Sequence, residues 1–164
     1  SGFSKAFAMT GWRIGYACAP EALDKAMLKV HQYTMLCAPR VAQHAAIAAL
    51  AGGFQDDFAS VGQMRAEYDK RRRFLVKSFN DLGLTCFEPR GAFYAFPSVE
   101  ATGLTGEEFV ERLLKEEQVA VVPGNAFGEC GDYHVRCSYA TGMRELQEAV
   151  ARIARFTEKL RKNR

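Results

Sequence analysis

The sequence contains no apolar run near the about 20 residues that a helix needs to cross a bilayer, so no membrane-spanning helix is expected. It also lacks a basic start followed by an apolar stretch and a small-residue cleavage site, the pattern of a secretory leader. Cysteine is sparse: Cys18, Cys37, Cys86, Cys130 and Cys137 form no C-x-x-C pair, and an odd count of five cannot pair fully. Reduced thiols and a cytoplasmic location are therefore expected. The three histidines, His31, His44 and His134, have no metal-ligand spacing, so no metal is expected. Charge of one sign is also scarce, with a net +3 over 164 residues. The basic runs 70–73 and 159–164 read as wet helix faces and give no reason to expect a nucleic-acid partner. Low-complexity tracts and internal repeats are absent, and 48% hydrophobic with 25% charged residues is ordinary for a globular chain. An initiator methionine is missing too. The chain opens at Ser1 inside its densest motif, which points to a piece of something longer.

Helical and strand-like patterns alternate along the chain. A short strand-like run spans Ile14 to Cys18. Pro20 suits the first turn of a helix whose apolar face is Leu23, Met27 and Val30. Val41 to Leu50 is an alanine-rich helix that Gly52-Gly53 should end. Val61, Met64, Tyr68, Leu75, Phe79 and Leu82 form a stripe along a long helix over about 56–82, closed by Gly83. Leu84–Phe87 and Phe93–Phe96 read as strands on either side of Glu88-Pro89-Arg90-Gly91. Thr105 with Glu108 is a capping box that starts a helix burying Phe109, Val110, Leu113 and Leu114. Val119–Val122 and Tyr133–Tyr139 read as strands. Met143, Leu146, Val150, Ile153 and Leu160 mark a last amphipathic helix. This alternation favours an α/β or two-layer α+β unit in the second half.

The chemistry-bearing stretch runs from Ser4-Lys5 through Met9-Thr10-Gly11-Trp12-Arg13 to Gly15-Tyr16. A lysine among small and aromatic neighbours can lose solvent, which lowers its pKa and frees its amine as a nucleophile. An arginine eight residues on can present a bidentate fork to a phosphate. Gly11 and Gly15 would let the backbone turn tightly near a ligand. A second arginine, Arg136, stands among apolar neighbours in Tyr133–Ala140. Such an arginine either snorkels to water or receives a carboxylate through two parallel hydrogen bonds.

The string from Ser4 to Tyr16 closely resembles the cofactor-lysine signature of class I/II aminotransferases, which use pyridoxal 5'-phosphate (PLP) and have fold type I. The resemblance extends to Pro89–Pro97, with its Gly-Ala-Phe-Tyr, and to Val119–Gly128 followed by Val135-Arg136-Cys137-Ser138-Tyr139-Ala140. It implies an α/β protein of that fold. Residues 1–55 would be the end of the cofactor-binding large domain, and 56–164 an α+β small domain entered by the long helix. It further implies that Lys5 holds PLP as a Schiff base and shuttles the substrate Cα proton, and that Arg13 binds the cofactor phosphate. Arg136 would grip the α-carboxylate of an amino acid or 2-oxo acid. Many members carry a phosphate-binding hydroxyl where this chain has Gly2; Ser4 is the candidate to replace it. Glycine and aromatics of 91–96 would line the substrate entry, and His31–Thr34 a loop near a partner subunit's site. The wording of Met9–Arg13 fits the aspartate/aromatic type better than C–S lyases or cyclopropane-carboxylate synthases. A homodimer is implied for the full-length protein.

The resemblance covers the C-terminal part of a typical member. The aspartate facing the pyridine nitrogen, the aromatic stacked on the ring and the phosphate loop would all lie upstream of Lys5. Two functional expectations follow: transamination between an L-amino acid and a 2-oxo acid, or an inactive fragment or interaction module that keeps inherited residues. Residues 1–55 should then expose apolar surface and unpaired strand edges.

Overall fold

The computed structural model describes residues 1–162; Asn163 and Arg164, the end of the basic run, lie outside the described residues. The chain divides into two compact units, Ser1–Arg65 and Ala66–Arg164.

The first unit contains a one-turn helix α1 (Phe3–Ala6), a 3-10 turn at Thr10–Trp12, α2 (Glu21–Thr34), α3 (Arg40–Gln55) and the start of α4 (Ala59–Asp81). Its buried core is small: Phe3, Met9 and Ala46, with Phe7, Ile14, Ala45, Ala49 and Leu50 packed around them. The expected apolar face of α2 is present but uncovered. No residue of that helix is buried, and Leu23 and Val30 are 59% and 65% exposed.

Two expectations are corrected here, and the start of the long helix is located. Ile14–Cys18 forms no strand; its only ladder contact is one antiparallel bridge, Gly15 to Gly2. Helix α3 runs through Gly52 and Gly53 to Gln55. A Cβ on Gly53 would sit 2.3 Å from the Phe58 ring, so this glycine serves close packing and not helix termination. The long helix begins at Ala59, after Asp57 and Phe58 take left-handed backbone conformations.

The second unit is an antiparallel sheet covered by helices. Strands β1 (Tyr94–Ala95), β2 (Val122–Pro123) and β3 (Val135–Ser138) lie in the order β1-β3-β2. Tyr94 pairs with Ser138, Ala95 with Cys137, and Val122 with Arg136. Because side chains alternate across a strand, Val135 and Cys137 face the core while Arg136 and Ser138 face away. That core joins Leu75 and Phe79 of α4, Phe109 and Leu113 of α5 (Gly106–Glu117) and Ile153 and Phe156 of α6 (Met143–Lys162).

The capping box at Thr105 is formed: Glu108 N–H donates to Thr105 Oγ1 at 3.3 Å, and Thr105 N–H to Glu108 Oε2 at 2.9 Å. Those bonds to Thr105 hold the Glu108 carboxyl below its usual range. Gly83, at φ 73°, follows α4 as expected. Leu84–Phe87 is extended but is not a strand. The Asn80 carboxamide takes both backbone groups of Cys86, at 3.0 Å each, and the one backbone bond from the neighbouring segment, Ser98 N–H to the Thr85 carbonyl at 2.8 Å, makes no ladder. All five cysteines are unpaired, and burial pushes the Cys137 thiol up to about 12, which makes it an inert core residue. Among the described residues no helix is long and apolar enough to cross a membrane, and no cluster of metal-ligating side chains occurs.

Candidate active site

The residues singled out by sequence fall in both units. In the first, the segment from Ser1 to Tyr16 is a closed loop. Tyr16 N–H donates to the Ser1 carbonyl at 2.9 Å and Phe3 N–H to the Ile14 carbonyl at 3.3 Å, around the Gly2–Gly15 bridge. A Cβ on Gly15 would lie 3.0 Å from the Ser1 oxygen, so glycine permits this approach of the two ends. Phe3 points into the small core and anchors α1, which carries Ser4 and Lys5. Ser4 is half-buried. Lys5 is exposed, which corrects the expectation of a desolvated amine: the inward face of this single turn belongs to Phe3.

Arg13 sits at the far end of the same loop in a left-handed conformation, φ 51°, as does Ala8 at φ 53°. Non-glycine residues rarely adopt this region, and such strain persists where the surroundings enforce it. The Arg13 Nη1 donates to the Thr10 carbonyl at 3.0 Å, tying the guanidinium to the 3-10 turn. Among the described residues Arg13 has no carboxylate partner, so its remaining donors are available to an anion.

In the second unit Arg136 occupies the outward face of β3, half-buried. Its guanidinium carbon lies over two rings, 4.4 Å from the centroid of Tyr94 and 4.3 Å from that of Phe127. No hydrogen bond or ion pair engages it among the described residues. Several helix arginines differ: Arg72, Arg112, Arg152 and Arg155 each carry a carboxylate. Phe96 stacks on His134 at 5.1 Å and meets the edge of Phe127 at 6.3 Å. Phe127 gave no sequence signal of its own, since it stands nine residues before Arg136, in the connection between β2 and β3. His134, uninformative in sequence, proves to have a buried Nδ1 without a hydrogen-bond partner.

The class I and II aminotransferase family matches residues 1–153. The chain belongs to that family. It is 54% identical to the YugH protein of Bacillus subtilis (strain 168) over 97% of its own length, which is 40% of that protein. With the aspartate aminotransferase of Pyrococcus abyssi the identity is 46%, over 93% of this chain and 39% of the relative. The crystal structure of an aromatic aminotransferase from Pyrococcus horikoshii OT3 superposes with a TM-score of 0.91 at 46% identity, covering 96% of this chain and 42% of that one. The fold is therefore that of the fold type I aminotransferases, and the chain spans about 40% of the length of the curated relatives it matches. Class I and II aminotransferases work with PLP, an aldehyde that carries a phosphate ester. The donors on the closed loop suit such a group in kind: a primary amine, a hydroxyl and a guanidinium within one stretch of sixteen residues.

Proposed function

We propose that this chain supplies the cofactor lysine and the carboxylate arginine of a PLP-dependent aminotransferase, of the aspartate/aromatic type, acting on an L-amino acid and a 2-oxo acid. The observation that carries this reading is the loop closed at Gly2 and Gly15, which holds Ser4, Lys5 and Arg13 on one short stretch of a family member. PLP, when bound, offers its aldehyde to an amine and draws electrons from the substrate Cα. Lys5 would be the amine that holds the cofactor and the base that moves the Cα proton. Arg13, steadied by its bond to Thr10, presents its free N–H edge to the phosphate, with the Ser4 hydroxyl as a second donor. Arg136 donates a pair of N–H groups to the α-carboxylate of the amino acid or 2-oxo acid.

In this reading residues 1–55 belong to the cofactor-binding domain and 56–164 form the small domain. The whole protein is then a cytoplasmic homodimer. The exposure of Lys5 and of α2 favours a second reading for the 164-residue chain by itself: inherited residues without turnover until further polypeptide covers them.

Borohydride reduction in the presence of low PLP, followed by peptide mapping, separates the two. Pyridoxyl mass confined to Lys5 is the expected result. Mass scattered over surface lysines such as Lys25 and Lys77 would overturn the proposal for this chain.

A further inference from the structure

The outward face of the small sheet carries a cation, Arg136, with no anion beside it among the described residues. Extending the β1–β3 register places Phe96 opposite Arg136, and the Ser98–His134 bridge continues the same pairing. Tyr94, Phe96, His134 and Arg136 therefore share one face by strand alternation, while Ala95, Val135 and Cys137 fill the core. Phe127 reaches this face from the 3-10 turn Gly124–Phe127 after β2. That turn is fixed by backbone contact: a Cβ on Gly124 would lie 2.4 Å from the Gly131 oxygen, and one on Gly131 only 2.2 Å from the Gly124 oxygen. Gly124 N–H also donates to the His134 carbonyl at 2.8 Å.

Resting on the reading of Arg136 as the carboxylate residue, we infer that Tyr94 and Phe127 are positioning residues that hold its guanidinium through their ring faces. Ring faces attract a cation without cancelling its charge and without consuming an N–H donor. A carboxylate in their place would do both, as Glu88 does for Arg72. The guanidinium is flat and stacks, so its orientation is set while its donor edge stays available to a planar anion. An ammonium at this position would be attracted to the rings, yet it would lack the paired donors. Phe96, held on the His134 ring, buttresses Phe127 from behind. The aromatic pair thus acts on affinity for the carboxylate end of the reactant through Arg136, without touching the reacting carbon.

The test is a nitrogen-15 NMR titration of the 164-residue chain with 2-oxoglutarate at constant ionic strength, with chloride as control. The Arg136 Nε–Hε resonance is assigned by R136K. In the unaltered chain that resonance is expected to be displaced by ring currents and to move further with 2-oxoglutarate but not with chloride. F127L is the first variant, because Phe127 is 50% exposed and its loss leaves the core intact. We expect F127L and Y94L each to lose part of the ring-current displacement and to weaken 2-oxoglutarate binding roughly threefold to tenfold. Y94F and F127Y, which keep the rings, should bind as the unaltered chain does. Equal binding in F127L and the unaltered chain would overturn the positioning role while leaving Arg136 as the carboxylate residue. No response of Arg136 to 2-oxoglutarate in the unaltered chain would instead remove the carboxylate reading, and the positioning role with it.

Discussion

Residues 1–65 and 66–164 place their apolar side chains in opposite ways. The second unit gathers Leu75, Phe79, Phe109, Leu113, Ile153 and Phe156 into one core between helices and sheet. The first buries Phe3, Met9 and Ala46 and leaves Leu23, Val30, Tyr33, Ile47 and Phe54 mostly in solvent. One candidate arginine therefore stands on a packed platform, whereas the lysine loop is held by backbone hydrogen bonds and one anchoring phenylalanine. The contrast shows that a residue's chemistry and its rigidity come from separate sources. Arg136 is oriented by rings on a sheet whose other face is core; Lys5 is located by a loop closure that leaves its side chain exposed.

The harshest way to break this comparison is Phe156→Ala. Phe156 is fully buried, and truncation should cost the second unit about 3–5 kcal/mol. Urea unfolding followed by circular dichroism should show the loss. The fluorescence of Trp12, the single tryptophan, lies in the first unit and should keep its midpoint. Coincident shifts of both signals would show that the two units unfold as one. A milder change sharpens the comparison from inside the second unit: Thr105→Ala removes the cap of α5 and should cost about 1 kcal/mol in the same experiment, with Thr105→Ser restoring most of it. The smallest effect is expected in the first unit. Leu23→Lys on the uncovered face of α2 should change stability by less than about 0.5 kcal/mol. A loss several times larger would mean that this face is packed in solution.

The start of helix α5 was legible, since Thr105 and Glu108 make the two bonds that their spacing announces, and Phe109 and Leu113 are buried as expected, whereas Leu114 is 50% exposed. The strand around Arg136 was legible from alternation, and the motif from Ser4 to Tyr16 carried the family. What escaped were features decided by single distant contacts. Gly52-Gly53 looks like a helix end until the Phe58 ring is seen against Gly53. Leu84–Phe87 has the pattern of a strand, but Cys86 gives both its backbone groups to the Asn80 carboxamide, which no periodicity reveals. Ile14–Cys18 makes one bridge and no strand, because the segment that faces it, Ser1 to Phe3, turns at once into α1. The rings beside Arg136 come from two segments, one on each side of β3 in the sheet, so their meeting depends on strand order and not on spacing. Exposure of Lys5 was also invisible in sequence: small and aromatic neighbours along the chain do not cover a side chain that projects from the outer face of a single turn.

The bridge between Gly2 and Gly15 has a temporal consequence. Joining two points so near along the chain costs little more entropy than the tightest turns, and loops of about ten residues close within roughly 10–100 ns. The ring of residues that carries the lysine and Arg13 can thus assemble on its own clock, before any long-range pairing in the sheet has been found, and present a shaped loop to whatever folds around it later.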